Sequence, residues 1–122
     1  MCGQVILFAE DEDDELKLMQ RVLEAEGYRV LAAKNGVEAV ELHRRHKDEI
    51  ALAVLDMNMP KLHGWDAFQE MKRDDPQLKA IVATAYPDPQ VRSAMARGEL
   101  HALFIKPYSI NNFLERVSEL VR

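Results

Sequence analysis

The sequence predicts an α/β domain: a doubly wound parallel sheet of five strands with helices on both faces. Three observations carry that reading. Short apolar runs alternate with amphipathic stretches along the whole chain, which is the pattern of strand–helix–strand units. Runs such as Val5-Ile-Leu-Phe-Ala9 are apolar at consecutive positions, as strands covered on both faces are. Glycine, Asp-Pro and serine stand where helix ends need them.

Val5 to Ala9 is the first strand. Leu16, Met19 and Leu23 then recur at helical spacing, and Gly27 stops that helix. Residues 28–33 read as the second strand. Residues 36–46 read as the second helix, with Val37 and Val40 inward. The third strand covers 50–55, and a short helix over 65–73 puts Phe68 and Met71 on one side. Residues 79–84 form the fourth strand. Asp88-Pro89 supplies an N-cap and a proline at the first helical position. Val91, Ala94 and Met95 line that helix, and Gly98 ends it. Residues 102–105 are the fifth strand. Ser109 caps the last helix, whose stripe is Ile110, Phe113, Leu114, Val117, Leu120 and Val121. Each crossover is expected to be right-handed.

A length of 122 residues fits one domain, residues 1–122. A net charge of −5 argues against nucleic acid or anionic membrane as a direct partner. The apolar runs are too short to cross a bilayer, and no leader pattern marks the chain for export. Cys2 is the only cysteine. It cannot form an internal disulfide, which fits a reducing cytoplasm.

In sheets of this kind the ligand site lies at the carboxyl ends of the strands. Glu10, Asp11, Glu12, Asp13 and Asp14 follow the first run, Asp56 the third, Thr84 closes the fourth and Lys106 follows the fifth. The topology gathers them on one edge. Two like charges at ~4 Å and an effective dielectric near 20 cost about 4 kcal/mol, and a hard divalent cation removes that cost. Mg²⁺ takes oxygen ligands and keeps several waters, so one or two carboxylates suffice. An aspartate is a competent nucleophile for phosphoryl transfer. That chemistry depends on positioning and on neutralising the equatorial oxygens, which a metal ion, Lys106 and the Thr84 hydroxyl could do. Each residue alone has a plain reading: a solvated helix start for Asp13 and Asp14, with Asp13 as the cap, and a turn residue for Asp56. Their joint placement outweighs those readings.

The sequence resembles the bacterial response-regulator receiver domain over essentially its whole length. The matching segments are Val5-Ile-Leu-Phe-Ala-Glu-Asp11, Asn35-Gly-Val-Glu-Ala39, Leu55-Asp-Met-Asn-Met-Pro60, Gly64, Ala83-Thr-Ala85 and Lys106-Pro107. The resemblance implies a flavodoxin-like sheet in the order 2-1-3-4-5 and a phosphorylation switch rather than an enzyme acting on other molecules. Asp56 would be the phosphoacceptor. Asp11, Asp56 and the backbone carbonyl of Asn58 would hold Mg²⁺ (or Mn²⁺), with Glu10 acting through water. Lys106 and Thr84 would serve the phosphoryl group, assisted by the backbone N–H groups of Met57 and Ala85. The Lys106-Pro107 bond would be cis. Asn58 and Tyr86 would tune the phosphoryl lifetime. A sensor histidine kinase or phosphotransfer protein, or acetyl phosphate, would be the donor. An output protein would read the surface of the fourth helix, fifth strand and fifth helix, which can also serve for homodimers.

The chain departs from the family in one place. A switching Tyr or Phe usually sits three residues before the lysine, where this sequence has Leu103. Phe104 points to the opposite face, so Leu103 is read as a packing residue. Trp65 is expected to pack on the sheet and His63 to lie at the surface, and His43, His46 and His101 show no ligand spacing. Two other functional classes compete. One is a receiver-fold interaction module that is never phosphorylated. The other is a haloacid-dehalogenase-like phosphohydrolase, which wants an acid two residues after its nucleophile, where Asn58 stands. The chain is read either as a single-domain regulator or as a receiver cut from a hybrid kinase or longer regulator.

Overall fold

In a computed structural model, residues 3–57, 59 and 63–122 are described. Strands and helices alternate without exception: β1 (Val5–Ala9), α1 (Asp13–Ala25), β2 (Arg29–Ala33), α2 (Gly36–His46), β3 (Ile50–Leu55), α3 (Gly64–Asp74), β4 (Ala80–Thr84), α4 (Pro89–Ala96), β5 (Ala102–Ile105) and α5 (Ile110–Leu120). All strand pairs are parallel, in the order β2-β1-β3-β4-β5. The order reverses between β1 and β3, the point at whose carboxyl edge sheets of this kind bind their ligands.

The pleat divides the core in two. Ile6 and Phe8 point into a layer with Leu16, Met19 and Leu23 of α1 and Phe113 and Val117 of α5. Leu7 and Ala9 point into a layer with Val40, Phe68, Met71, Val91 and Ala94 from α2, α3 and α4. Because both faces are covered, β1 and β4 are buried at every position, which explains their unbroken apolar sequence. Phe113 anchors the α5 side: its ring meets Phe8, Phe104 and Tyr108 at centroid distances of 6.3, 5.5 and 5.4 Å, within the range of favourable aromatic pairing.

Helix ends follow local chemistry. Asn35 accepts from the Glu38 N–H at 2.9 Å, Asp88 from Val91 at 3.1 Å and Ser109 from Asn112 at 3.2 Å. Gly27 and Gly98 have φ of 96° and 76°, left-handed values that suit the residue ending a helix. The Tyr28 N–H turns back to Leu23 O at 3.2 Å, so β2 starts one residue later than the apolar pattern suggests. α3 extends one residue further at each end, its start capped by His63 Nδ1, which accepts from the Trp65 N–H at 3.2 Å.

Three side-chain expectations need correction. Asp13 is not a cap: Glu12 occupies the N-cap position without a side-chain bond, and Asp13 pairs loosely with Lys34 at 3.7 Å. Val37 is exposed rather than inward, because α2 buries the stripe Gly36, Ala39, Val40 and His43 and residue 37 lies about 100° round from it. Met95 is also largely exposed, since the short α4 buries only Val91 and Ala94. His43 was not assigned to the core by its sequence, yet it is fully buried toward α3, its Nε2 3.4 Å from Asp75 Oδ2. Trp65 is buried and stacks at 5.5 Å on Phe68.

Candidate functional site at the carboxyl edge of the sheet

Each site residue departs from a fixed strand end. The Glu10 N–H donates to Ala33 O at 3.0 Å, extending the β1 ladder by one residue. The Asp56 N–H donates to Ala9 O at 3.1 Å and extends β3 likewise. The Lys106 N–H donates to Thr84 O at 3.0 Å, tying the end of β5 to that of β4. Gly64 closes the loop after Asp56, its N–H donating to Met57 O at 2.9 Å. The chain packs so closely there that a Cβ on residue 64 would lie 2.1 Å from Asp56 O. These backbone bonds are the rigid frame on which a functional group holds its position.

The side chains converge. Lys106 Nζ lies 2.6 Å from Glu10 Oε1, 3.0 Å from Glu15 Oε2 and 3.5 Å from Asp56 Oδ2. Glu10 also accepts from the Glu12 N–H at 3.1 Å through its other oxygen. Glu10, Asp11 and Asp56 each offer a carboxylate oxygen within 4.8 Å of the others. Glu10 and Asp56 are buried, whereas Asp11 faces solvent. Burial pushes the Glu10 carboxyl up to about 8, and Asp56 adds to the rise, against the pull of Lys106 and the Glu12 N–H. Burial also opposes the charge of Lys106, but its bonds to Glu10 and Glu15 and the charge of Asp56 outweigh that and hold it above the ordinary lysine range. The two residues compete for one proton along a 2.6 Å contact. Lys106 has two further acidic neighbours, so the ammonium–carboxylate form is the one this geometry favours.

Residues 6–118 match the family model of the response regulator receiver domain. The chain belongs to that family. It is 28% identical over 114 residues to the polar-differentiation response regulator DivK of Brucella anthropi, covering 92% of this chain and 91% of that one. Among solved structures it is similar to the response regulator TrrA of Thermotoga maritima in complex with Mg²⁺ and BeF, with 28% identity, a TM-score of 0.79 and coverage of 96% and 98%. It is similar also to the non-phosphorylated HemR receiver domain of Leptospira biflexa, with 27% identity, a TM-score of 0.89 and coverage of 98% and 94%.

Receiver domains take Mg²⁺ on acidic residues, and the donor set here fits that ion. Three carboxylate oxygens from two neighbouring strand ends lie within 4.8 Å, a hard, oxygen-only set with one solvent-facing member, so water can complete the coordination. The other expected site residues that the structure describes stand at or just after strand ends. Met57 is buried directly after Asp56. Thr84 is fully buried at the end of β4, and its Oγ1 has no hydrogen-bond partner among the described residues. Ala85 follows it into solvent. The Lys106-Pro107 bond is cis. Tyr86 is 82% exposed. Asn58, expected to give a carbonyl to the metal and to tune lifetime, lies outside the described residues. Leu103 packs against the core layer of α2, α3 and α4, while Phe104 joins Tyr108 and Phe113 on the other face.

Sequence reasoning misses Glu15. An acidic run at a helix start suggests a solvated face, and Asp13, Asp14 and Glu15 fill the first turn of α1. The available signal is the position of Glu15 beside Leu16, the first buried residue of α1, which turns residue 15 toward the sheet edge where Lys106 arrives. Among the described residues no helix is long and apolar enough to cross a membrane.

Proposed function

We propose that this receiver domain is a phosphorylation-activated switch in which Asp56 accepts the phosphoryl group. The observation that carries the reading is the shared lysine: Lys106 Nζ lies 3.5 Å from Asp56 Oδ2 while bonded to Glu10. An acceptor oxygen, a metal-binding acid and a cation thus meet at one point. The Asp56 oxygen attacks phosphorus and forms the new O–P bond. The bond from phosphorus to the donor breaks, and its electron pair leaves with the donor's imidazole or acetate. The donor is a sensor histidine kinase, a phosphotransfer protein or acetyl phosphate.

Glu10, Asp11, Asp56 and the Asn58 carbonyl would hold Mg²⁺ or Mn²⁺, Glu10 through water, and the ion supplies charge neutralisation for the incoming phosphoryl oxygens. Lys106 pairs with one of those oxygens, and the backbone N–H groups of Met57 and Ala85 meet others. The Thr84 hydroxyl, buried and without a partner among the described residues, gains an acceptor when the phosphoryl group arrives. Its movement biases the segment leading to α4, and the surface of α4, β5 and α5 presents the result to an output partner or a second copy. Only differential contact between the two states can drive such a shift. Asn58, two residues after the acceptor, and Tyr86, two after the threonine, would set the lifetime of the phosphoryl group.

The test is intact mass after incubation with Mg²⁺ and acetyl phosphate. One phosphoryl adduct on the wild type, lost in Asp56→Asn and in EDTA, is the expected result. An adduct that persists in Asp56→Asn would overturn the assignment. No adduct, together with no calorimetric response to Mg²⁺ and beryllofluoride, would favour an interaction module that is never phosphorylated.

A further inference from the structure

Lys106 is oversubscribed. Two of its three acidic neighbours, Glu10 and Asp56, belong to the proposed metal and acceptor set. The third, Glu15, does not. It comes from the first turn of α1, and its Oε2 lies 3.0 Å from Lys106 Nζ, nearer than the Asp56 oxygen at 3.5 Å. Its side chain is 30% exposed, against 19% for Lys106, so the contact sits at the mouth of the crevice. Measured from the same nitrogen, the Glu15 and Asp56 oxygens lie no more than about 6.5 Å apart.

We infer that Glu15 is a positioning residue that restrains the switch by holding the Lys106 ammonium back from the acceptor and by adding a negative charge beside it. The inference rests on the phosphoacceptor reading and goes further into the same site. An ammonium has three N–H donors. Here the 2.6 Å bond to Glu10 and the 3.0 Å bond to Glu15 take two of them. A bound cation would engage Glu10 with Asp11 and Asp56 and weaken the hold of Glu10 on Lys106. Glu15 lies outside that set and keeps its hold. An anion arriving at Asp56 must therefore compete with Glu15 for Lys106, and must approach a further carboxylate across a partly desolvated gap, where charges are poorly screened. Both effects have the same sign: Glu15 weakens anion binding at the acceptor and slows phosphorylation. Cation binding is affected oppositely, because an added negative charge near the acidic cluster favours Mg²⁺.

That opposition gives the test. Glu15→Gln keeps the side-chain length and an acceptor oxygen but removes the charge, at a partly exposed position in the first turn of α1. Calorimetry would measure Mg²⁺ alone, then beryllofluoride at saturating Mg²⁺, on the wild type and the variant, with thermal melts as a check on folding. Beryllofluoride should bind the variant tighter, on the order of fivefold, the scale of a partly exposed charge contact. Mg²⁺ should bind it no tighter than the wild type. The gap in beryllofluoride affinity should narrow as salt is added. A purely structural effect would weaken both ligands together. Unchanged or weaker beryllofluoride binding by Glu15→Gln would overturn the inference and make Glu15 an anchor that aims Lys106 at the acceptor. If the wild type binds Mg²⁺ but not beryllofluoride, the phosphoacceptor reading falls and this inference falls with it.

Discussion

Gly64→Ala tests how the fold holds Asp56. Gly64 is the first residue of α3. In a helix alanine is ordinarily preferred to glycine by about 1 kcal/mol, so propensity alone predicts a more stable variant. Packing predicts the reverse. A Cβ at residue 64 would lie 2.1 Å from Asp56 O and 2.6 Å from Met57 Cα, against an ordinary carbon contact of about 3.5–4.0 Å. The obstructing atoms are backbone and cannot rotate away. The start of α3 and the end of β3 must separate by roughly 1 Å or more, which costs on the order of 3 kcal/mol as overpacking does. After the propensity gain, a net loss of about 2 kcal/mol remains. For a domain of this size that lowers Tm by roughly 8 °C. The shift also moves the Asp56 backbone, so beryllofluoride affinity should fall more than Mg²⁺ affinity, because the proposed metal set also draws on Glu10 and Asp11 after β1. Thermal unfolding by circular dichroism reads the first effect and calorimetry the second. A Gly64→Ala protein as stable as the wild type, or more so, would refute the claim that close backbone approach fixes the glycine here.

Two further outcomes follow from the same geometry. Thr84→Val keeps the shape of a fully buried side chain and removes a hydroxyl that has no partner among the described residues. Urea unfolding should find it as stable as the wild type or about 1 kcal/mol more so, while the phosphoryl adduct still forms and the conformational response to it, read by amide exchange over α4, is lost. His101 gives a pH dependence. Its Nδ1 accepts from the Ala80 N–H at 3.2 Å, and burial first, then Lys72, Lys79 and Arg116, lowers its pKa. The folded state thus binds fewer protons than the unfolded one, whose histidine titrates near ~6.5. The stability from this group is present above that value and is lost as pH falls from it through the lower folded pKa. Urea midpoints between about pH 7.5 and pH 5 should fall more steeply for the wild type than for His101→Gln; parallel curves would show that the bond to Ala80 carries no such dependence.

The sequence discloses most where residue type and position are tied by the backbone. The unbroken apolar runs mark strands covered on both faces, and the burial of β1 and β4 at every position is the physical counterpart. Asp88-Pro89 and Ser109 mark helix starts because capping is local. The edge residues Glu10, Asp56, Thr84 and Lys106 were legible because a parallel sheet sends every strand end to the same side. Facts set by side-chain reach across elements were less legible. Val37 belongs to a helical pattern that places it inside, yet α2 rolls so that His43 takes the core. That roll is decided by packing against α3, which the α2 segment does not encode. Glu15 is the same case at the site: nothing within α1 says that a lysine ninety-one residues later ends within 3.0 Å of it.

The carboxyl edge combines two kinds of construction, and their contrast suits the proposed switch. Below the edge everything is fixed: strand ends extended by single backbone bonds, two closed core layers, and a glycine pressed against the Asp56 carbonyl. At the edge the polar groups are left unresolved. One ammonium serves three carboxylates, acidic oxygens crowd within 4.8 Å, and a buried hydroxyl has no acceptor among the described residues. The crowded acids and the unmatched hydroxyl are each unfavourable alone, since crowded like charges and unmatched buried polar groups cost free energy, and the lysine offsets only part of the first. On the proposed reading, a divalent cation would take the carboxylates, and an anion at Asp56 would take the lysine and the hydroxyl. A rigid frame keeps these groups from relaxing by local collapse, so in the proposed switch the free energy released on binding would go into moving Thr84 and Lys106. Thr84 closes β4 and Lys106 follows β5, and these are the strands that flank α4 and lead to α5. In the proposed switch the site would therefore act on the surface of α4, β5 and α5 through these two residues.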